Sequence, residues 1–259
     1  MYRDRVSWYL GVSSYWFATS LKWFLTMLLM PTLVQAVVPG GEKNTWWGII
    51  VGIGAVQAMI GPALWGYFSD RVGKRMPFLL SGTLITILAI IIIVNGANWW
   101  ALAIGYLILK VGDDVATGPY AALLPDLVPT EHRGRASGAM GACQFTAQLA
   151  GAVLVAIGWK APQLFVAIAV AHLICLSLVA ITIGNPSTEK RESDPFSFGE
   201  WFGVFRVANF RLVWFGRFLV SMGVGIMTTF GVFFLSDVIK RFTAGSLKLA
   251  WIALISDWV

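Results

Sequence analysis

Lys22 stands well inside the first long apolar run of the chain, Lys110, Asp113 and Asp114 crowd one helical turn of the fourth, and Arg217 lies in the seventh. An ionisable side chain in hydrocarbon costs roughly 2.5–3.5 kcal/mol even on a lenient scale, and such groups pair with one another, hold an ion or line a hydrated path. Lys110 and Asp114, four residues apart, can pair within their own helix and so let it insert. The remaining carboxylate then needs Lys22, Arg217 or a proton, and a carboxylate of that kind can load and release H⁺. His172, alone in an apolar segment, reads as a core histidine with its hydrogen bond satisfied, and Gln144 and Gln148 read as interhelical glue, with ligand contact as the alternative.

The elements that must position these residues follow from composition. Of 259 residues, 58% are hydrophobic and 12% charged, against about 25% charged in soluble domains. A bilayer crossing takes about 20 apolar residues as helix. Stretches of that kind fall at 12–37, 46–69, 78–96, 99–124, 137–159, 161–184 and 212–236, and a shorter run at 247–259 reads as part of an eighth helix. Cys143 and Cys175 both fall inside spans, which leaves neither a disulfide framework nor a metal-finger spacing. The first apolar segment is long, contains Lys22 and lacks a small-residue cleavage site, so it reads as a retained helix.

With the N-terminus in the cytoplasm, the inner segments hold Arg3, Arg5, Arg71, Lys74, Arg75, Arg133, Arg135, Lys190, Arg191, Arg206 and Arg211. The outer ones hold Lys43, Lys160, Lys240, Arg241 and Lys248, eleven cations against five. That excess supports this orientation in a cell membrane. The net charge of +6 is therefore topological, and no nucleic-acid partner is expected. Trp46, Trp47, Trp99, Trp100 and Trp159 are expected at the outer headgroup level.

The charged helices are every third one. Helices 2 and 5 are instead rich in glycine, which lets backbones approach closely, and helices 3 and 6 are aliphatic and expected to face lipid. Such a recurrence predicts an internal repeat of three helices. At 100° per residue, Tyr15, Thr19, Lys22 and Thr26 share one side of helix 1, with Trp16, Phe17, Phe24 and Leu28 on others. Tyr106, Lys110, Asp113, Asp114 and Thr117 share a face of helix 4, and Arg217, Ser221 and Thr228 align on helix 7. Three facing polar stripes would enclose a hydrated cavity.

The stretch GYFSDRVGKR, residues 66–75, then falls in a tight turn between helices 2 and 3. Gly66, Asp70, Arg71, Gly73, Lys74 and Arg75 resemble the signature loop of the major facilitator superfamily. GPALWG before it, and PYAALLPDLVPTEHRGRASG after helix 4 with Asp126, Arg133 and Arg135, are similar to the neighbouring parts of that family. The resemblance covers essentially the whole chain. It implies an all-α, multi-pass membrane protein with a six-helix N-terminal bundle over 1–184, made of two three-helix repeats. A cytoplasmic linker over 185–208 follows, with Phe198, Trp201, Phe202 and Phe205 spaced as a helix lying in the membrane surface. An incomplete second bundle occupies 209–259. Asp70 beside Arg71 and Arg75, near Asp126 and Arg135, is expected to form a charge network that latches the cytoplasmic side.

The family implies a secondary transporter moving a small polar solute by alternating access, coupled to H⁺ or Na⁺ and needing no other cofactor. Lys22, Lys110, Asp113, Asp114 and Arg217 are the coupling candidates. GPY and PDLVP resemble sugar–cation symporters of the glycoside and sucrose type, while GACQFTAQLAGAVL lacks the Gly-Pro signature of helix 5 in proton-coupled drug exporters. A different class of reading is a truncated chain that transports nothing and acts as a scaffold, since further C-terminal helices would be needed to complete a transporter. An enzyme is disfavoured, because neither HExxH nor GxSxG occurs.

Overall fold

The structure is a computed structural model and describes residues 4–39, 41–184 and 203–237. Among these it contains helices and no strand. The helices are α1 (Val6–Val37), α2 (Lys43–Val72), α3 (Met76–Asn95), α4 (Trp99–Leu127), α5 (Arg133–Ala156), α6 (Ala161–Ile183) and α7 (Ala208–Asp237), with 3-10 turns at Thr130–His132 and Val204–Arg206. The expected stretches are each found, and most run a turn further at their ends. Local chemistry sets those ends. Asn98 caps α4 by accepting from the Ala101 amide at 2.9 Å, and α2 stops at Gly73, whose φ of 68° is a left-handed conformation that other residues adopt only with strain.

Six helices, all but α4, are long and apolar enough by themselves to cross a membrane. Helix α4 carries Lys110, Asp113 and Asp114 and is held in place by its neighbours: its polar face is buried against α1, α2 and α3. Packed pairs follow a rule. Exchanging each of the first three helices with its counterpart three later turns α3–α4 into α6–α1, α2–α4 into α5–α1 and α1–α2 into α4–α5, while α3–α6 and α1–α4 map onto themselves. The three-helix repeat expected from the charge rhythm is thus present in the packing, with α1 and α4 at the centre.

Backbones approach closely at the α3–α4 crossing. A Cβ on Gly82 would sit 2.6 Å from the Gly112 carbonyl oxygen and 2.7 Å from Ala116 Cβ. Gly82→Val is therefore expected to cost at least the 1–3 kcal/mol typical of overpacking, read as a lower unfolding midpoint in detergent. Gly141→Val, at a position open to space, should leave that midpoint unchanged. The glycines of α2 and α5 are only partly used this way: Gly54, Gly61 and Gly151 meet neighbouring helices, while Gly52, Gly138 and Gly141 meet nothing. Helices α3 and α6, expected to face lipid, are more buried than α2 and α5, whose central stretches are 22% and 11% buried.

Several other expectations change. Trp47 is fully buried, donates from Nε1 to the Thr229 carbonyl on α7 at 3.0 Å and packs on Tyr106, so it is a core residue rather than a headgroup anchor. Trp100 and Trp159 are exposed, in keeping with that role. Phe198, Trp201, Phe202, the shorter run at 247–259, and Lys190, Arg191, Lys240, Arg241 and Lys248 lie outside the described residues. Phe205 packs edge-on against Phe210 and Trp214.

Candidate functional site

Lys22 on α1 and Asp113 on α4 meet at the centre of the bundle in a direct ion pair, with side chains 4% and 10% exposed. The pairing comes from the repeat: α1 and α4 cross at its axis and each brings its charge to mid-depth. Asp114, one residue on, points toward α2 and accepts from Gln57 Nε2 at 3.2 Å beside Gly61. Lys110 does not close on Asp114 within α4; its Nζ lies over the Trp23 ring, 5.3 Å from the centroid. The internal pair is thereby replaced by an interhelical one. Arg217 is exposed on the first half of α7 and is not brought to this cluster. Register explains it: residues 211–223 of α7 are all exposed, and only the stretch from about Thr228 onward packs against α1 and α2.

A cavity of about 840 Å³ abuts the pair, walled by α1, α2, α4, α5 and Thr228 of α7. Asp113 forms part of its surface, with Thr19, Ser20, Thr117, Gln144 and Gln148 as further polar groups; Trp16, Trp23, Phe24, Met27 and Leu28 make it largely apolar. The side of helix 1 that faces the cavity therefore differs from the expected stripe. Tyr15 is buried, its hydroxyl 2.9 Å from that of Thr83 on α3, and Lys22 reaches Asp113 from behind the cavity wall. Trp16 is held against Tyr120, whose hydroxyl donates to the Val12 carbonyl. His172 sits buried with Nδ1 2.8 Å from the Ile168 carbonyl, the satisfied core histidine its sequence context suggests. Gln144 and Gln148 line the cavity, which puts them within reach of a ligand. Trp23 and Gln57 escaped the sequence reading altogether; Trp23 lies 100° round from Lys22, and only a known cavity direction would have singled it out.

At the end of the bundle that carries the α2–α3 loop, Arg75 is the hub. Its guanidinium reaches Asp70 at 2.6 Å, Asp126 at 2.9 Å and the Ser69 hydroxyl, tying α2, α3 and α4 together. The wider network does not form as expected. Arg71 lies over the Tyr67 ring at 4.8 Å, Lys74 is exposed, and Arg133 donates to the Pro125 and Val128 carbonyls at the end of α4. Arg135 pairs with Asp4 rather than Asp126, donating to both carboxylate oxygens at 3.0 Å. The Tyr9 hydroxyl donates to the same carboxylate at 2.8 Å, and these donors hold the Asp4 carboxyl below its ordinary value. A depressed carboxyl stays ionised as the pH falls until its own lowered value is reached, so this tie persists through neutral pH.

At the opposite end α7 meets α2. Lys43 Nζ donates to Asp237 at 2.8 Å and lies 5.1 Å from the centre of the Phe233 ring, one turn of α2 before the Trp47 bond to Thr229. These contacts hold the end of α7 against α2, while the first half of α7 is exposed.

The Major Facilitator Superfamily model matches residues 13–257. The chain belongs to that superfamily. The six apolar helices and the superfamily match mark it as a membrane protein. It is 34% identical over 143 residues to a class E tetracycline resistance protein of Escherichia coli, covering 55% of this chain and 34% of that protein. Over 260 residues it is 26% identical to a multidrug resistance protein of Proteus mirabilis, covering 95% of this chain and 62% of the relative. A sucrose transport protein of Arabidopsis thaliana is 27% identical over 131 residues, 43% of this chain and 25% of that protein. The chain thus spans less than two thirds of the length of each. Sugar symporters are not singled out, because relatives named for drug resistance cover more of the chain.

Proposed function

We propose that this superfamily member carries out cation-coupled secondary transport by alternating access, with the Lys22–Asp113 pair as the coupling element. The observation that carries the reading is the contact between that pair and the 840 Å³ cavity. A buried ion pair is stable only while both charges are present. A cation that neutralises Asp113 releases Lys22, and a solute in the adjoining cavity senses the change directly. Rings at Trp16, Trp23 and Phe24 beside a few polar groups suit an amphipathic, ring-bearing organic solute. That moves the expected cargo away from a purely polar one and toward the drug-resistance relatives. A sugar is the second reading, favoured by the Gln144 and Gln148 amides and the Trp16 ring in the lining of one cavity.

In this reading the α2–α3 loop faces the cytoplasm, Arg75 ties α2, α3 and α4 of the one bundle to each other at that end and so does not close the cavity, and the Lys43–Asp237 bond holds α7 against α2 at the outer end. The test is side-specific. Cysteines placed at Ser20 and Thr117, with Cys143 and Cys175 replaced by alanine, are expected to react with an impermeant thiol reagent from the loop side. Adding Lys43→Met should open the opposite side and raise labelling from there at least about tenfold, the change that follows from removing about 1.4 kcal/mol of closure. Labelling that is equal from both sides and indifferent to Lys43→Met would remove alternating access from the account. Vesicles carrying the protein, offered tetracycline and sucrose as probes, then report which chemistry is accumulated.

A further inference from the structure

On the side of the Lys22–Asp113 pair away from the loop end, a second, much smaller chamber lies between α1 and α4. It has about 20 Å³ of room for the centre of a water, where a single water needs roughly 10–15 Å³. Lys22, Thr26, Tyr106, Lys110 and Asp113 line it. Asp113 therefore belongs to the walls of both spaces, the solute cavity and this chamber. Thr26 is 4% exposed, and its hydroxyl has no hydrogen-bond partner among the described residues. A buried hydroxyl left so is costly, and native proteins satisfy such groups with protein atoms or ordered water.

We propose that this chamber is a binding site for one water molecule, which accepts from the Thr26 hydroxyl, donates to the Asp113 carboxylate and so hydrates the ion pair from the side opposite the cavity. The lining selects the ligand. The Lys22 and Lys110 ammonium groups repel a metal cation, Asp113 repels an anion, and a neutral molecule that both donates and accepts matches hydroxyl, ammonium and carboxylate together. Around it the titratable groups are Lys22 on α1 and Tyr106, Lys110 and Asp113 on α4, with Asp114 turned toward α2. The functional use of the site rests on the transport reading: a carboxylate wetted from two sides can exchange a proton with either, which makes H⁺ rather than Na⁺ the coupling ion. The binding itself does not rest on it.

Hydroxyl-radical footprinting by X-ray radiolysis in ¹⁸O-water tests this on the protein in lipid nanodiscs. Tyr106 is 3% exposed, and a bound water beside it is the source of radicals that bulk solvent cannot supply. Oxidation of Tyr106 well above that of Tyr120, which is 2% exposed and lines neither space, is expected. Thr26→Val should bring Tyr106 down to the Tyr120 level, and Thr26→Ser should restore it. Exchanging sodium for choline should change nothing. Tyr106 no more reactive than Tyr120, equal reactivity in Thr26→Val, or loss of reactivity on adding sodium would each overturn the site. Vesicles that accumulate no probe would sink the transport reading and leave this footprint as it is.

Discussion

Lys22→Met is expected to lower stability by about 3–5 kcal/mol, because it leaves the Asp113 carboxylate buried without its counter-charge. Asp113→Asn alone should do comparable harm by stranding the ammonium. The Lys22→Met/Asp113→Asn double variant should recover most of the loss, since the desolvation penalty of both ions disappears with their attraction. Chemical unfolding of the four proteins in one detergent closes the double-mutant cycle. A coupling energy near zero would mean that the two charges do not depend on each other. The prediction is large because the side chains are 4% and 10% exposed, and a neutral water beside Asp113 does not replace a lost counter-charge.

Arg75→Gln is expected to cost about 2–3 kcal/mol and to loosen the loop end. Its guanidinium makes charged hydrogen bonds to Asp70 and Asp126, each worth about 1.5–3 kcal/mol when well shielded. The two carboxylates are about a third exposed, so solvent screens part of that and the sum falls short of the upper figure. Without the arginine the two carboxylates are left facing one another. Lysine should rescue poorly, since a single ammonium cannot span two acceptors in fixed directions. Arg71→Gln and Lys74→Gln, taken from the same motif, should leave the unfolding midpoint unchanged, because these side chains are exposed. The motif thus splits into one structural hub and several surface cations, and thermal unfolding of the four variants measures the split.

How far the sequence carries the structure can be read from Lys22 and Arg217. Both were marked by the same rule, a charge inside an apolar run, and the rule was sufficient for Lys22 because α1 sits at the centre of the repeat. It did not transfer to Arg217, whose half of α7 stands away from the described bundle. Helical arithmetic told which residues of α1 share a face. It did not tell which face looks into the cavity, because a period fixes relative angles and leaves the rotation of the whole helix free. That one missing angle exchanged the roles of Tyr15 and Trp16, and hid Trp23. Trp47 escaped for a related reason: a tryptophan near a helix end suits a headgroup, and only the approach of α7 turns it inward. The repeat, by contrast, was legible in the recurrence of charged, glycine-rich and aliphatic helices, although composition misplaced the last two, since the aliphatic α3 and α6 are more buried than the glycine-rich α2 and α5.

The Lys22→Met/Asp113→Asn protein, stable enough to reconstitute, allows the most direct test of the coupling role. In vesicles, the probe that the wild-type protein accumulates under an ion gradient is followed in two modes, net accumulation and solute exchange with the gradient collapsed. The account predicts that the double variant loses gradient-driven accumulation and keeps exchange, because the cavity survives while the charge that senses the ion is gone. Accumulation at the wild-type level by that variant would contradict it.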